Sequence, residues 1–400
     1  MLRFLTAGES HGPGLVVILE GIPAGLEIDF DAIARELSRR QKGYGRGARM
    51  KIEQDQVEVL GGIRRARATG GPISFLIRNR DWENWKDKLS PYAHDDAAAE
   101  RVALANPRPG HADLAGALKY GVEDFRDILE RSSARETAAR VAASAIARQL
   151  LKRLDCEIGS HVLAIGPVSL PAGEDAPWDR IRGIPADSPL RVVDTEAEEK
   201  MMAEIDLAAS EGDTLGGVFE VVAHTPPPGL GSFIQWDKRL DGRLAQALCS
   251  IPAIKAVGFG SGVDTARRRG SALHDEIFYS PQEGLHRSTN NAGGLEGGIT
   301  NGQELRVTVY MKPLSSLKKP LASVDIKTKE ATAAALVRSD TSAVPAAGVV
   351  GEAMVALTLA AAALEKFGGD HIEETLANYR TQCLRVEELL KRQDPARLKA

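Results

Sequence analysis

The chain has 400 residues, 43% hydrophobic and 26% charged, with 51 Lys and Arg against 55 Asp and Glu for a formal net charge of -4. That length carries two domains or one large duplicated unit; the composition argues against extensive disorder, and the balanced charge does not suggest a dedicated nucleic-acid binder. Three widely spaced cysteines, Cys156, Cys249 and Cys383, make neither a disulfide framework nor a metal knuckle and point to a reducing cytoplasm.

The N-terminal run MLRFLTAGESHG has no apolar signal core, so export is not expected. It closes on Gly8-Glu9-Ser10-His11-Gly12, a histidine between glycines. Imidazole titrates near pH ~6.5 and suits proton transfer at neutral pH, although a single histidine in a turn is equally the mark of a hydrogen-bonded turn. Leu15 to Leu19 reads as a strand ended by the turn Gly21-Ile22-Pro23-Ala24-Gly25, and Asp29 to Gln41 as a helix with Ile33 and Leu37 on one side. Residues 39–51, RRQKGYGRGARMK, then read as a basic, glycine-punctuated loop whose guanidinium forks suit phosphate and carboxylate.

Residues 51–60 and 72–79 alternate as strands joined through Gly61–Arg67, and Arg80 to Asn106, with Trp82 and Trp85, reads as an irregular insertion of the kind that forms lids. Arg108-Pro109-Gly110-His111-Ala112-Asp113 sets a second histidine in a permissive turn. Ser133-x-x-Glu136 is a capping box opening a long alanine-rich helix through Leu151. Its first amides and positive dipole end, beside Arg131, Ser132 and Arg135, make a second candidate anion site. Another alanine-rich helix is expected from about Pro345 to Gly368-Gly369; its most apolar part, Ala353 to Leu364, is about half the ~20 residues of a membrane span and reads as buried.

Alanine on all faces lets such helices pack on both sides, as in the middle of a layered core. Both follow a Gly-Gly-Ile turn and a strand (Gly61, then 72–79; Gly297-Gly298-Ile299, then 305–311), and both follow Arg-Ser plus a polar residue (Arg131-Ser132-Ser133; Arg338-Ser339-Asp340). This parallel points to an internal duplication, with coincidence as the alternative. The glycine-rich passages 212–217, 258–262 and 289–298 lack the dinucleotide fingerprint and the P-loop lysine, and neither a metal-ligand pair nor a Gly-x-Ser-x-Gly elbow occurs. The residues alone therefore describe an enzyme of polyanionic ligands, with two proton-transfer histidines and no metal.

Taken in order, Gly8-Glu9-Ser10-His11-Gly12, Gly45-Arg46-Gly47-Ala48-Arg49-Met50, Arg108-Pro109-Gly110-His111-Ala112-Asp113, Arg131-Ser132-Ser133-Ala134-Arg135-Glu136-Thr137 and Arg338-Ser339-Asp340 closely resemble the chorismate synthase family over nearly the whole chain. The resemblance implies an α+β fold, a β-α-β sandwich of two antiparallel four-stranded sheets enclosing long central helices with pseudo-twofold internal duplication. It would be one large domain, halves roughly 1–200 and 201–370 with a helical tail 371–400, assembled as a cytoplasmic homotetramer. Residues 265–287 and the tail beyond 370 look longer than in compact members.

The activity implied is a lyase of the shikimate pathway and aromatic amino acid biosynthesis. It removes phosphate from 5-enolpyruvylshikimate 3-phosphate by anti-1,4-elimination to give chorismate, requiring reduced FMN with no net redox change. The resemblance makes His11 the proton donor to the departing phosphate and His111 the group that protonates or stabilises the reduced flavin. Asp340 assists proton removal near the flavin N5, and Ser10 and Ser132 orient hydrogen bonds. Flavin contacts would be Arg131, Ser132, Ser133, Gln246, Ala247, Gly297, Lys312, Pro313, Leu314, Ser315, Ser316 and Arg338. Arg49, Arg108, Arg135 and Arg338 would grip the substrate anions. Arg40 and Arg46 would meet NADPH, a reductant that a separate flavin reductase can replace. No nucleic acid or membrane partner is expected. Two other classes stay open at this point: a flavin oxidoreductase with net hydride transfer, and an RNA-binding module built on the glycine-arginine loop.

Overall fold

The computed structural model of the chain describes residues 2–47, 54–92, 96–171, 175–337 and 340–391. The first sheet starts as a hairpin of β1 (Arg3–Ala7) and β2 (Gly14–Glu20), in which Leu15, Val17 and Leu19 alternate inward. Next comes α1 (Phe30–Gln41), started by Asp29, whose carboxylate accepts the Ala32 N–H at 3.0 Å, and burying Ile33 and Leu37. After β3 (Glu58–Gly61) and β4 (Ile73–Arg78) come α2 (Asp113–Tyr120), α3 (Arg126–Ser132) and the long α4 (Thr137–Lys152). The second set is β5 (Glu157–Ile165), β6 (Val168–Ser169), α5 (Thr195–Glu211), β7 (Gly217–His224), α6 (Leu240–Cys249), β8 (Ile254–Phe259) and β9 (Leu305–Met311). The described chain ends with α7 (Val344–Phe367) and α8 (Ile372–Lys391).

One antiparallel sheet runs β1-β2-β4-β3 and the other β8-β9-β7-β5-β6. The second thus has five strands where four were expected, the fifth being the two-residue β6. Without β6, both sheets order their strands first-second-fourth-third, and in both a helix follows the second strand and the long central helix follows the fourth. Between the sheets, α4 packs on β2 and β4, α7 packs on β5 and β7, and the two helices pack on each other. The main hydrophobic cluster runs from Leu2 to Leu376 through both sheets and the central helices.

The helix α7 spans the range expected for it, and its length and composition alone would allow it to cross a membrane; 94% of its most apolar window is instead buried in the protein. Close approach to the second sheet depends on its glycines. A Cβ at Gly351 would stand 2.7 Å from the Phe219 ring, and one at Gly348 3.0 Å from Ser160 Oγ.

Several local expectations are corrected. Arg39 and Arg40 belong to the last turn of α1 rather than to the basic loop; of the expected strand 51–60, residues 54–57 precede β3 without strand structure and 51–53 lie outside the described residues. The 80–106 insertion contains a 3-10 turn at Arg80–Asn84 and a short helix at Asp96–Glu100. The capping box does not close: Ser133 Oγ accepts the Arg135 N–H at 3.3 Å and caps a 3-10 turn, Ala134–Glu136. Glu136 turns away to Arg140, one helical turn on, at 2.7 Å, because an ion pair at that spacing competes with the backbone amide for the carboxylate.

The layers are pinned by Glu352 of α7, which is fully buried. Its carboxylate accepts from both Arg39 terminal nitrogens (2.8 and 2.7 Å), from Arg148 of α4 (2.8 Å) and from the Ser160 hydroxyl of β5 (2.6 Å). Burial alone would push this carboxyl up, but Arg39 and Arg148 outweigh it and hold the group well below the usual carboxylate range. Removing one partner of such a buried pair strands the other charges, so Glu352→Ala is expected to cost about 3–5 kcal/mol. This should lower the urea midpoint at an unchanged slope. Because the folded pKa is depressed, the wild-type contribution is complete above the ordinary value of 4.5 and falls away as the pH drops below it, a dependence the variant should lack. Equal midpoints at pH 7 would refute the pinning role.

Candidate active site

His11 stands in the β1–β2 connection, a loop held from three sides. Gly8 adopts φ +104°, and a Cβ there would meet the Gly14 carbonyl oxygen, so only glycine closes this turn. Asn79, just after β4, donates its amide to the carbonyls of Glu9 (3.0 Å) and Gly12 (2.8 Å). Arg131, near the end of α3, donates to the carbonyls of Gly8 (3.0 Å) and Thr6 (2.9 Å). The Glu130 backbone carbonyl accepts the Ser10 N–H at 3.0 Å, while its carboxylate accepts the His11 N–H at 2.7 Å and lies 2.9 Å from His11 Nδ1. The imidazole leans on Trp85, with ring centroids 4.3 Å apart. Burial would raise the Glu130 carboxyl, but hydrogen bonds from the His11 ring and backbone, with the charge of Arg126, keep it below its ordinary value.

Behind the loop lies a buried charge cluster. Arg135 donates Nε to Asn79 Oδ1 (2.9 Å) and Nη1 to Asp55 (2.6 Å), and Arg40 donates to the other Asp55 oxygen (2.8 Å). Burial, with repulsion from Arg135 and Arg46, pulls the Arg40 guanidinium down against the attraction of Asp55. Asp340, which precedes α7, pairs with Arg46 at 3.3 Å and accepts the Gly47 N–H at 2.6 Å. The 42–47 loop is tied to the same place by the Thr341 N–H, which donates to the Gly45 carbonyl at 2.8 Å. Arg40, Arg46, Arg135 and Asp340 therefore share one neighbourhood, joined to the His11 loop through Asn79, although they come from distant parts of the sequence.

His111 occupies a second cluster. Arg108 holds Asp113 through Nε (2.8 Å) and Nη2 (2.9 Å) and reaches Ser316 Oγ through Nη1 (2.9 Å). His111 Nδ1 lies 2.5 Å from Asp113 Oδ1. Against the penalty of burial, His111 and Arg108 depress the Asp113 carboxyl far below the usual range. Gly110 has φ +76°, and a Cβ there would stand 3.4 Å from Ser315 Oγ and 3.6 Å from Lys312 Nζ, so this turn lies directly on the 312–316 segment. Lys312 donates to Ser315 Oγ at 2.9 Å, Leu314 offers its carbonyl to Thr214 (2.7 Å), and burial followed by Lys255 lowers the Lys312 ammonium.

Ser132 Oγ is buried without a hydrogen-bond partner among the described residues, beside Arg131 and Ser133. An orphaned buried hydroxyl is costly unless a ligand completes it, so this is a ready position for an anionic group. Gln246 is exposed and Ala247 half-buried on α6; Gly297 turns the hairpin Leu295–Glu296 with Ile299–Thr300, beside Phe233 and the Arg239 start of α6. Arg49 and Arg338, expected to bind substrate, lie outside the described residues, as do Ala48, Met50 and Ser339.

Sequence reasoning missed Glu130, Asn79, Asp55 and Trp85. Each is a single polar or aromatic residue at the end of an element or in the irregular segment, with no period to mark it. The one available signal was chemical: a proton-transfer histidine needs a group to fix its tautomer, and Glu130 stands next to the quoted Arg131 motif.

A family model described as chorismate synthase matches residues 2–364. The chain is 53% identical over 386 residues to a chorismate synthase of Desulforudis audaxviator (strain MP104C), covering 96% of this chain and 98% of that one. It is 50% identical over 394 residues to a chorismate synthase of Koribacter versatilis (strain Ellin345), covering 97% and 100%. A solved structure titled "Crystal Structure of Chorismate Synthase" superposes with a TM-score of 0.77 at 43% identity, covering 97% of this chain and 98% of that one. With the motifs, the fold and these likenesses in agreement over nearly its whole length, the chain belongs to the chorismate synthase family.

Proposed function

We propose that this protein is a carbon-oxygen lyase that converts 5-enolpyruvylshikimate 3-phosphate to chorismate by anti-1,4-elimination of phosphate, with reduced FMN as cofactor. The observation that carries this reading is His11, tethered to an ionised Glu130 in a loop that Asn79 joins to the cluster of Arg40, Arg46 and Arg135. A proton donor tied to concentrated positive charge suits a reaction whose leaving group is a phosphate.

The donor set also fits the cofactor. The orphaned Ser132 hydroxyl, with Arg131, Ser133 and the half-buried Lys312, matches an anionic group, and Gly110 leaves a gap above Ser315 that a Cβ would fill. These residues, with Gln246, Ala247, Gly297, Pro313, Leu314, Ser315, Ser316 and Arg338, would hold reduced FMN. When bound, reduced FMN supplies the transient electron that lets phosphate leave and regains it with the hydrogen lost from C6, without net redox change.

The protein's own part is binding and proton placement. His11 gives its proton to the departing phosphate, with Ser10 orienting it. Arg49, Arg108, Arg135 and Arg338 balance the substrate's phosphate and carboxylates. His111, steadied by Asp113, holds or supplies a proton at the cofactor, and Asp340, oriented by Arg46 and the Gly47 amide, assists proton removal. NADPH as reductant would meet Arg46 before Arg40, whose side chain is buried on Asp55; a separate flavin reductase is the other source. We assign the enzyme to the cytoplasm, to the shikimate pathway of aromatic amino acid biosynthesis, and to a homotetramer of single-domain, internally duplicated chains. The matching strand order of the two sheets supports duplication, with the second repeat starting at β5, earlier than residue 201. The exposed run of Phe233, Ile234 and Trp236 supports a subunit contact.

Anaerobic turnover with photoreduced FMN, with and without NADPH, tests the reaction. Chorismate and phosphate are expected in equal amounts with only catalytic reduced FMN; consumption of one NADPH per phosphate released would establish an oxidoreductase instead. His11→Ala and His111→Ala should each lower kcat by roughly 10²–10⁴ while flavin binding stays largely intact. Near-wild-type turnover in either variant removes that histidine from the mechanism.

A further inference from the structure

We infer that Glu130 is the positioning residue that makes His11 a proton donor, fixing the orientation and tautomer of the ring and hence which nitrogen reacts. The inference rests on the assignment of His11 above. Glu130 lies in the last turn of α3 with its side chain 3% exposed, behind the imidazole. It acts through His11 rather than on the substrate.

Three features make it more than a structural anchor. It grips the Ser10-His11 segment at four points: the Ser10 N–H on its backbone carbonyl, the His11 N–H on Oε2, and the ring Nδ1 at 2.9 Å from Oε1 and 3.1 Å from Oε2. An ionised carboxylate only accepts hydrogen bonds, so Nδ1 must carry its hydrogen, and the transferable proton is assigned to Nε2. The imidazole is clamped between this edge contact and the Trp85 face. The loop itself, with glycines at 8 and 12, has little of its own to hold the ring.

The charge balance around the ring gives Glu130 its second effect. From α3, Arg126 touches Glu130 Oε1 at 3.4 Å and stands 5.2 Å from the Trp85 ring centre, and Arg131 binds the loop carbonyls. From the 80–92 segment, Lys88 lies 5.1 Å over Trp85 and Asp81 accepts the Trp85 indole N–H at 3.1 Å. Glu9 is in the loop itself, near Gly12. Of the charged groups named, Glu130 is the one shown in hydrogen-bond contact with the ring, so its charge is the one a substitution there removes from the imidazole's immediate surroundings.

Glu130→Gln keeps the shape and removes the charge. Steady-state kinetics across pH should show KM for the phosphorylated substrate within a few-fold of wild type and kcat lowered by roughly 10-fold or more. The alkaline limb of the kcat profile should move to lower pH by roughly one unit or more, the size of an opposite-charge contact. Glu130→Gln placed on His11→Ala should add almost nothing, because the two act as one unit. An unmoved pH profile, or a full additional loss in the double variant, would overturn the inference while leaving His11 as the donor. A wild-type rate in His11→Ala alone would overturn the donor assignment and this inference with it. Nitrogen NMR of the His11 ring in the intact wild-type enzyme needs no variant to fold: a hydrogen on Nδ1 is expected, and a neutral ring protonated only at Nε2 refutes the assignment.

Discussion

The buried contact of Glu352 with Arg39, Arg148 and Ser160 is the constraint on which the rest of the architecture depends. A layer of alanine-rich helices has smooth faces, and smooth faces slide: hydrophobic burial alone is indifferent to small rotations and shifts of register. One fully buried carboxylate meeting donors from α1, α4 and β5 leaves far fewer solutions, because any slip strands a charge away from water. Gly348 and Gly351 bring the same stretch of α7 close enough to β5 and β7 for the Ser160 hydroxyl to reach it.

That registration carries to the ends of the helices, where the candidate site lies. The start of α7 follows Asp340, which meets Arg46 and Gly47 beyond the end of α1. The approach to α4 carries Arg135, which reaches Asn79 and Asp55, and Asn79 in turn holds the His11 loop. A shift of the central helices by a fraction of a turn would therefore displace His11, Arg40 and Asp340 together. The inferred division is plain: polar pins at the middle of the layer set the geometry, and the helix starts use it.

Much of this was legible in the sequence because it is periodic or punctuated. Leu15 to Leu19 alternates, Asp29 caps, and Gly368 stops α7, so β2, α1 and both central helices were placed closely. The failures have a common cause, which is competition between partners that only the folded chain brings together. Glu136 had the spacing of a capping box but took Arg140; Arg40 was read as loop but is drawn into the core by Asp55. The histidines at the candidate site were visible because glycines surround them. Glu130, Asn79 and Asp55 were not, since each contributes one polar group whose meaning depends on a residue 15 or more positions away.

The two histidines are balanced differently, and the difference suits two jobs. Asp113 has a two-point contact with Arg108 besides its contact with His111, so its charge is compensated without the imidazole. Among the described residues, Glu130 has no such second partner of equal strength: Arg126 reaches it only at 3.4 Å, against 2.9 Å for the His11 ring. In the proposed mechanism, loss of the His11 proton would leave the buried Glu130 carboxylate with the longer Arg126 contact as its ion pair among the described residues. These contacts fit the proposed roles, with His11 giving a proton to the departing phosphate and His111 holding its position at the cofactor.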